Sequence, residues 1–416
     1  MFDKFELAQF GTTVKQEVLA GIVSFFSISY ILFVNPSILA QVGVPAEYSV
    51  FSTIFVAAIG TFLMGVMANA PLVMAPGMGE NAFFAFTLVA GLGLTWQEGL
   101  AAVVVTGVLF MLVAFLGVMR LFSESIPKEL KQAITIGIGL FLILIGLENM
   151  GILIDRQLYL NWIGLAGLIL VAILKKLNVK GGFLIAILLT TILYWLVNSQ
   201  SFEPISFDLT ALAGYPELLS APDYSRFLDF EFWLGVFSLL MLLIFETIGM
   251  LEAFIPDQKR TNQGYKVGAI SGLLSGLLGT SPAIPVAESG AGIAEGGKTG
   301  LTAVTASVLF LLSIVITPFL SYIPSEAVGP VIVVTGGSMI IGNLSIKVKS
   351  IVEWIPLLLI ILLIPLTGSI VEGMAYGFIA FPVVKIVTGK KQDTNKVLWI
   401  ISLLFLLTLI STFLIN

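Results

Sequence analysis

Of the 416 residues, 58% are hydrophobic and 11% charged, with a mean hydropathy of +1.06 and a formal net charge of -5. This composition excludes an ordinary soluble globular protein, because apolar runs approaching the ~20 residues that cross a bilayer recur along the chain. Histidine and cysteine are both absent. That excludes disulfides, thiolate metal sites and Cys–His or Ser–His catalysis, and leaves proton chemistry to carboxylates, Lys and Tyr.

The apolar segments, numbered 1 to 15 in chain order, fall near 18–34, 48–69, 72–90, 96–119, 130–149, 157–175, 181–198, 233–253, 265–280, 285–297, 301–321, 326–344, 351–368, 371–388 and 396–414. Residues 1–16 are polar and no small-residue cleavage motif follows segment 1, so a cleavable signal peptide is not expected. If the N-terminus is cytoplasmic and every segment crosses, all but Arg156 and Arg226 of the 20 lysines and arginines face the cytoplasm. The positive-inside bias supports that arrangement, which predicts a multi-pass protein of the cell membrane. The polar stretch 199–232, with Glu203, Asp208, Glu217, Asp223, Asp229 and Glu231, then lies outside as a connecting loop.

That loop separates seven segments from eight. Because seven is odd, a second copy of the first half enters the membrane inverted. Gly99-Leu100-Ala101-Ala102-Val103 resembles Gly300-Leu301-Thr302-Ala303-Val304, and Val108-Leu109-Phe110 matches Val308-Leu309-Phe310. Before the first match stands Ala75-Pro76-Gly77-Met78-Gly79-Glu80-Asn81-Ala82; before the second stands Ile284-Pro285-Val286-Ala287-Glu288-Ser289-Gly290. Each element has a proline, small residues, a glutamate and a short polar residue. The expected division is therefore a first inverted repeat over 1–198, the loop 199–232, a second repeat over 233–388, and an additional hydrophobic segment within 389–416.

The stretch from Ser281 to Glu295 organises the reading. Pro282 and Pro285 force extended backbone inside an apolar region. Irregular backbone at membrane depth survives only where protein buries it or it lines a wet cavity. Corresponding broken helices in inverted repeats are a sequence signature of a secondary transporter's midplane site. Intramembrane acids are functional candidates by default. Those at depth are Glu80, Glu246, Glu252 and Glu288; Glu98, Glu148, Glu295 and Glu372 fall near span ends. Phe83 and Phe84 follow Glu80 and could stack on a planar ligand. No metal site and no cofactor is called for.

At these residues the chain resembles the nucleobase–cation symporters of the xanthine/uracil permease superfamily, in the branch that takes up adenine, guanine and hypoxanthine. The resemblance rests on Val34-Asn35-Pro36, Ala75-Pro76-Gly77-Met78-Gly79 with Asn81-Ala82-Phe83-Phe84, Gly137-Ile138-Gly139-Leu140-Phe141, Phe245 to Gly249, Gly279-Thr280-Ser281, Glu288-Ser289 and Thr299-Gly300-Leu301-Thr302-Ala303-Val304. It implies an all-α polytopic fold of two inverted seven-segment repeats, with short antiparallel strands in segments 3 and 10. Segments 1–4 and 8–11 would form a core domain, and 5–7 and 12–14 a gate domain. It implies a purine substrate imported together with a cation, a proton first and sodium as the alternative. It places substrate contacts on Glu246, Glu288, Phe84 (or Phe83 in the other register), Ser289, Ala287 and Thr247, and coupling on Glu288, Glu246 and Glu80. The lipid bilayer is the surrounding partner, a homodimer is compatible, and no nucleic acid is expected. Here the branch usually has Asp at 246, Thr at 250 and an uncharged residue at 80, which leaves the purine open. Uracil/xanthine or sulfate-like anion transport on the same fold is the alternative. A membrane enzyme or a channel fits less well, since the chain offers no obvious nucleophile and carries an inverted repeat.

Overall fold

The computed structural model describes residues 5–154, 157–198, 210–346, 348 and 350–415. Among these, eight helices of 18 or more residues are long and apolar enough to cross a bilayer. Lys4, Arg156, Lys347, Lys349 and the loop residues Glu203 and Asp208, which entered the topology expectation, lie outside the described residues. Helix starts follow ordinary capping chemistry. Thr95 and Glu98 close a capping box ahead of Trp96–Phe115, and Asn161, Asp257, Thr299 and Ser369 cap later helices through side-chain oxygens. Glu98 is therefore a helix cap at a span end.

Segments 1, 3 and 10 break. Val14–Ile28 and Ile31–Ala40 make segment 1, with Tyr30 at the junction. Segment 3 runs as strand Met74–Pro76, helix Met78–Ala82 and a wider-wound turn over Phe83–Gly91, where Leu92 N–H donates to Thr87 O at 2.9 Å, five residues back. Segment 10 runs as strand Ala283–Pro285 and helix Ser289–Ala294. The two strands pair antiparallel, Met74 with Pro285, Ala75 with Ile284 and Pro76 with Ala283. The prolines stand at strand ends, where a missing N–H costs least.

The packing has the symmetry of an inverted repeat. Adding seven to a segment number in the first half gives its counterpart. Ala46–Met67 packs along Gly300–Leu312 as Phe230–Phe254's neighbour Gln258–Leu277 packs along Trp96–Phe115. Val14–Ile28 meets Gly300–Leu312 as Phe230–Phe254 meets Trp96–Phe115, and Lys128–Asn149 meets its own counterpart Ser325–Asn343. The strand edges obey the same relation. Thr61 Oγ1 accepts from Met74 N–H at 2.9 Å and donates to Met74 O at 3.1 Å, while Ser275 Oγ accepts from Ala283 N–H at 2.8 Å. Side chains from segments 2 and 9 thus supply the partners that lipid cannot give an exposed strand edge.

Close helix contacts are built on glycine. A β-carbon on Gly139 would lie 2.7 Å from Gly336 O, and one on Gly276 would lie 2.7 Å from Val104 N, the small-residue packing that brings membrane helices together. The helix Lys396–Ile415 packs on Ile370–Val387, with Ser402 Oγ donating to Phe378 O at 2.6 Å and Phe405 against the Phe237 and Phe378 rings. It adds to the fourteen-segment fold without entering the strand pair.

Candidate functional site

A cavity of about 750 Å³ lies between the core segments and the gate segments. Its floor is the strand pair: Gly77, Met78 and Gly79 from segment 3, and Ile284, Pro285, Val286, Ala287 and Glu288 from segment 10. The Phe230–Phe254 helix brings Leu242, Phe245, Glu246, Gly249, Met250 and Ala253. The gate contributes Lys128, Lys131, Gln132, Ile134 and Thr135, then Lys175 and Phe183, then Thr335, Ser338, Met339, Gly342 and Asn343. Lys128 begins its helix, Lys175 nearly ends its own and Asn343 ends a third. The cavity therefore runs from the strand pair to the lysine-bearing membrane face.

Two acids meet at this cavity. Glu288 precedes the Ser289–Ala294 helix and accepts a hydrogen bond from Tyr30 Oη at 2.5 Å; the charge of Lys175 also acts on it. The kink that places Tyr30 between two helical pieces of segment 1 is what brings its hydroxyl across to segment 10. Lys175 itself is hydrogen-bonded to Ser338 Oγ. Glu246, from the Phe230–Phe254 helix, lines the cavity beside the strand pair, and a β-carbon on Gly79 would lie 2.8 Å from its Oε1. Glycine at 79 is what lets the strand–helix turn pass this carboxyl.

Behind the floor is a buried polar knot. Asn35 Nδ2 donates to Thr53 Oγ1 at 2.7 Å and to Thr280 Oγ1 at 2.9 Å, and the single Ser281 hydroxyl proton is within reach of Asn35 Oδ1 at 3.2 Å and of Asn81 Oδ1 at 2.5 Å. It ties segments 1, 2 and 3 to the turn that opens segment 10. Asn81 Nδ2 alone in this knot lacks a partner; the remaining bonds tie the backbone around them into one arrangement.

The residues expected from sequence separate into two groups. Glu246, Glu288 and Ala287 are on the cavity wall. Phe83, Phe84, Thr247, Ser289 and Glu80 are not among its lining residues. Phe84 is wholly buried, with ring atoms close enough to Gly99 that a β-carbon there would lie 3.2 Å away. The stacking expected of Phe84, or of Phe83, which is equally buried, is not provided by this geometry: both rings fill the core behind segment 3. Thr247 faces the neighbouring helix at Gly268, and Ser289 Oγ accepts from Val73 N–H at 2.9 Å, closing the strand edge. Two phenylalanine rings do reach the wall: Phe183 from the gate, and Phe245, one residue before the acid, with Lys131 Nζ 5.8 Å from its centroid. Phe183, Lys175 and Thr335 were also missed by sequence reasoning. Phe245 could have been found from its adjacency to Glu246; the gate residues carry no local signal.

Comparison with known proteins agrees with this architecture. The permease family described as Xan_ur_permease matches residues 15–374. The chain is 38% identical to the nucleobase transporter PlAzg2 of Paenibacillus larvae over 88% of this chain and 76% of that one. It is 33% identical to the adenine permease AdeP of Escherichia coli over 98% and 95%, and 34% identical to the guanine/hypoxanthine permease PbuO of Bacillus subtilis over 97% and 99%. Among solved structures, the transmembrane domain of the cyanobacterium bicarbonate transporter BicA superposes with a TM-score of 0.64 at 15% identity, covering 90% of this chain and 97% of that one. SLC26A9 superposes with a TM-score of 0.67 at 14% identity, covering 90% and 66%. These structures share the two-repeat, seven-plus-seven fold.

Proposed function

The chain belongs to the xanthine/uracil permease family, and on that premise we propose that it carries purine nucleobases across the cell membrane in symport with a proton. The observation that carries the reading is the convergence of Glu246 and Glu288, from separate segments, on one cavity floored by the strand pair. A purine edge presents N–H donors beside ring-nitrogen acceptors. A carboxylate accepts from the first, and a protonated carboxyl or a backbone N–H donates to the second. Glu246 anchors the base at one edge; Glu288, held by Tyr30, meets it at the other. Phe245 supplies an apolar face, and Gly249 leaves room, since a β-carbon there would meet nothing within 4 Å.

Alternating access follows from the architecture: the core carries the floor and both acids, the gate carries the opposite wall, and the core moves against it. With the lysine-rich face taken as cytoplasmic, the cavity is the inward-facing site. Three lysines on the gate side favour a second reading, an anion carried as in the bicarbonate relative. The acids on the floor oppose it.

The two readings part in one experiment. Cells lacking their own purine permeases and expressing this chain are offered labelled adenine, guanine, hypoxanthine, uracil, sulfate and bicarbonate. Saturable uptake of at least one purine, lost in Glu246→Ala protein that still reaches the membrane, supports the proposal. Uptake of an anion with no purine uptake contradicts it.

A further inference from the structure

We infer that Glu80 and Glu246 hold one proton between their carboxyl groups and that this shared proton is the one the permease couples to its substrate. The inference rests on the symport reading above and names the site that serves it. Glu80 is wholly buried, and neither of its carboxyl oxygens meets a hydrogen-bond donor. Its carboxyl lies against Gly77 and the Glu246 carboxyl against Gly79, two residues along the same short turn, and Glu246 is the charged group that acts on it. Two ionised carboxylates can only accept. With Glu80 wholly buried and Glu246 at the cavity wall, two ionised carboxylates set beside each other gain no bond and repel. One proton between them supplies the missing donor and removes one of the two charges.

The backbone leaves space for this pair. A β-carbon on Gly77 would collide with Glu80 Oε2, and one on Gly79 would press on Glu246 Oε1. Two bare positions in the sequence Gly77-Met78-Gly79 thus accommodate the two carboxyls.

Other ionisable groups line the same cavity: Glu288, Lys128, Lys131 and Lys175. Across the cavity, Glu288 accepts from Tyr30, and Lys175 acts on Glu288. From the Lys128–Asn149 helix, Lys131 stands over the Phe245 ring and its charge acts with Glu252, which accepts from Tyr265. The Ile31–Ala40 helix presents the neutral Asn35, engaged with Thr53 and Thr280. Loading the pair takes one proton from water and leaves it with a single negative charge. Returning that proton to water restores two charges, a state tolerated once the opened site lets water in. With the proton on Glu80, Glu246 keeps free lone pairs for a purine N–H, so substrate and proton favour each other's binding.

The test compares wild type, Glu80→Gln and Glu288→Gln in proteoliposomes, with sodium present or replaced by choline. Purine exchange, accumulation under a pH gradient and the infrared carbonyl band of a protonated carboxyl are recorded. The amide of Glu80→Gln gives Glu246 a permanent donor. Exchange is expected to persist in this variant, while gradient-driven accumulation and the protonated-carboxyl band are both lost. In Glu288→Gln the band is expected to remain. Wild type without the band, Glu80→Gln accumulating purine with the wild-type pH dependence, or wild-type accumulation abolished by sodium removal would each overturn the inference. If Glu80→Gln does not fold, the band in wild type and its loss in Glu80→Asp decide the matter. Wild type that moves no purine defeats the symport reading instead, and the infrared band still reports on the pair.

Discussion

Phe245 and Phe84 make different predictions from similar chemistry. Phe245 reaches the cavity wall while 8% exposed, so Phe245→Ala is expected to weaken purine binding by roughly 1–3 kcal/mol, the scale of aromatic–base stacking, in addition to lowering stability. Phe84 is buried against Gly99, so Phe84→Ala is expected to lower thermal stability, at about 3–5 kcal/mol for a vacated aromatic site, and to leave affinity nearly intact in the protein that folds. Binding and melting curves on both variants check this, and exchanged outcomes would return the stacking role to Phe84. The acids were legible in the sequence because a glutamate in an apolar run has no cheap structural explanation. Phenylalanine in such a run has several, which is why the sequence does not separate a ring at the cavity from rings that fill the core. Lys175, Phe183 and Thr335 were illegible because they come from gate helices far along the chain, and only tertiary packing brings them to the cavity.

Among the elements, the strand pair was readable from its prolines and glycines, since backbone that cannot be helical at membrane depth must find partners in protein. What supplies those partners was not readable. Thr61 and Ser275 lie within helices Ala46–Met67 and Gln258–Leu277, where Ser and Thr are unremarkable, and their equivalence appears only once the two repeats interlock. Removing both hydroxyls, in Thr61→Val with Ser275→Ala, is expected to leave strand N–H groups unpaired at about 1–3 kcal/mol each and to lower the melting temperature in detergent. An unchanged melting temperature would mean that other groups satisfy the strand edges. The gate has a corresponding weak point. A side chain at Gly336 would enter the Gly139 backbone, and Gly336→Val is expected to separate the Lys128–Asn149 and Ser325–Asn343 helices at an overpacking cost of about 1–3 kcal/mol. Gly337→Ala, with nothing within 4 Å of its β-carbon, is the matched control and is expected to be silent.

The whole molecule is a seven-plus-seven transporter fold with one helix appended. The number of segments and their inversion could be counted from apolar runs and lysines, because the bilayer imposes length and the positive-inside bias imposes parity. The division into core and gate could not be counted; it came through the family resemblance and depends on which helices pack together. Orientation is open to a labelling test. Ser220 and Asn178 are both exposed and fall on opposite sides of the proposed topology. Cysteine at 220 is expected to react with an impermeant maleimide added to intact cells, and cysteine at 178 only after permeabilisation. The reverse pattern would invert the proposed topology.

The central claim, a purine held between Glu246 and Glu288, is tested most directly by equilibrium binding to the purified protein. Titration calorimetry with adenine, guanine and hypoxanthine is expected to give saturable binding of at least one base at one site per chain. That binding should vanish in folded Glu246→Ala protein and be unaffected by sulfate or bicarbonate. No binding of any purine by folded wild type, or a purine isotherm that Glu246→Ala leaves unchanged, would contradict the claim.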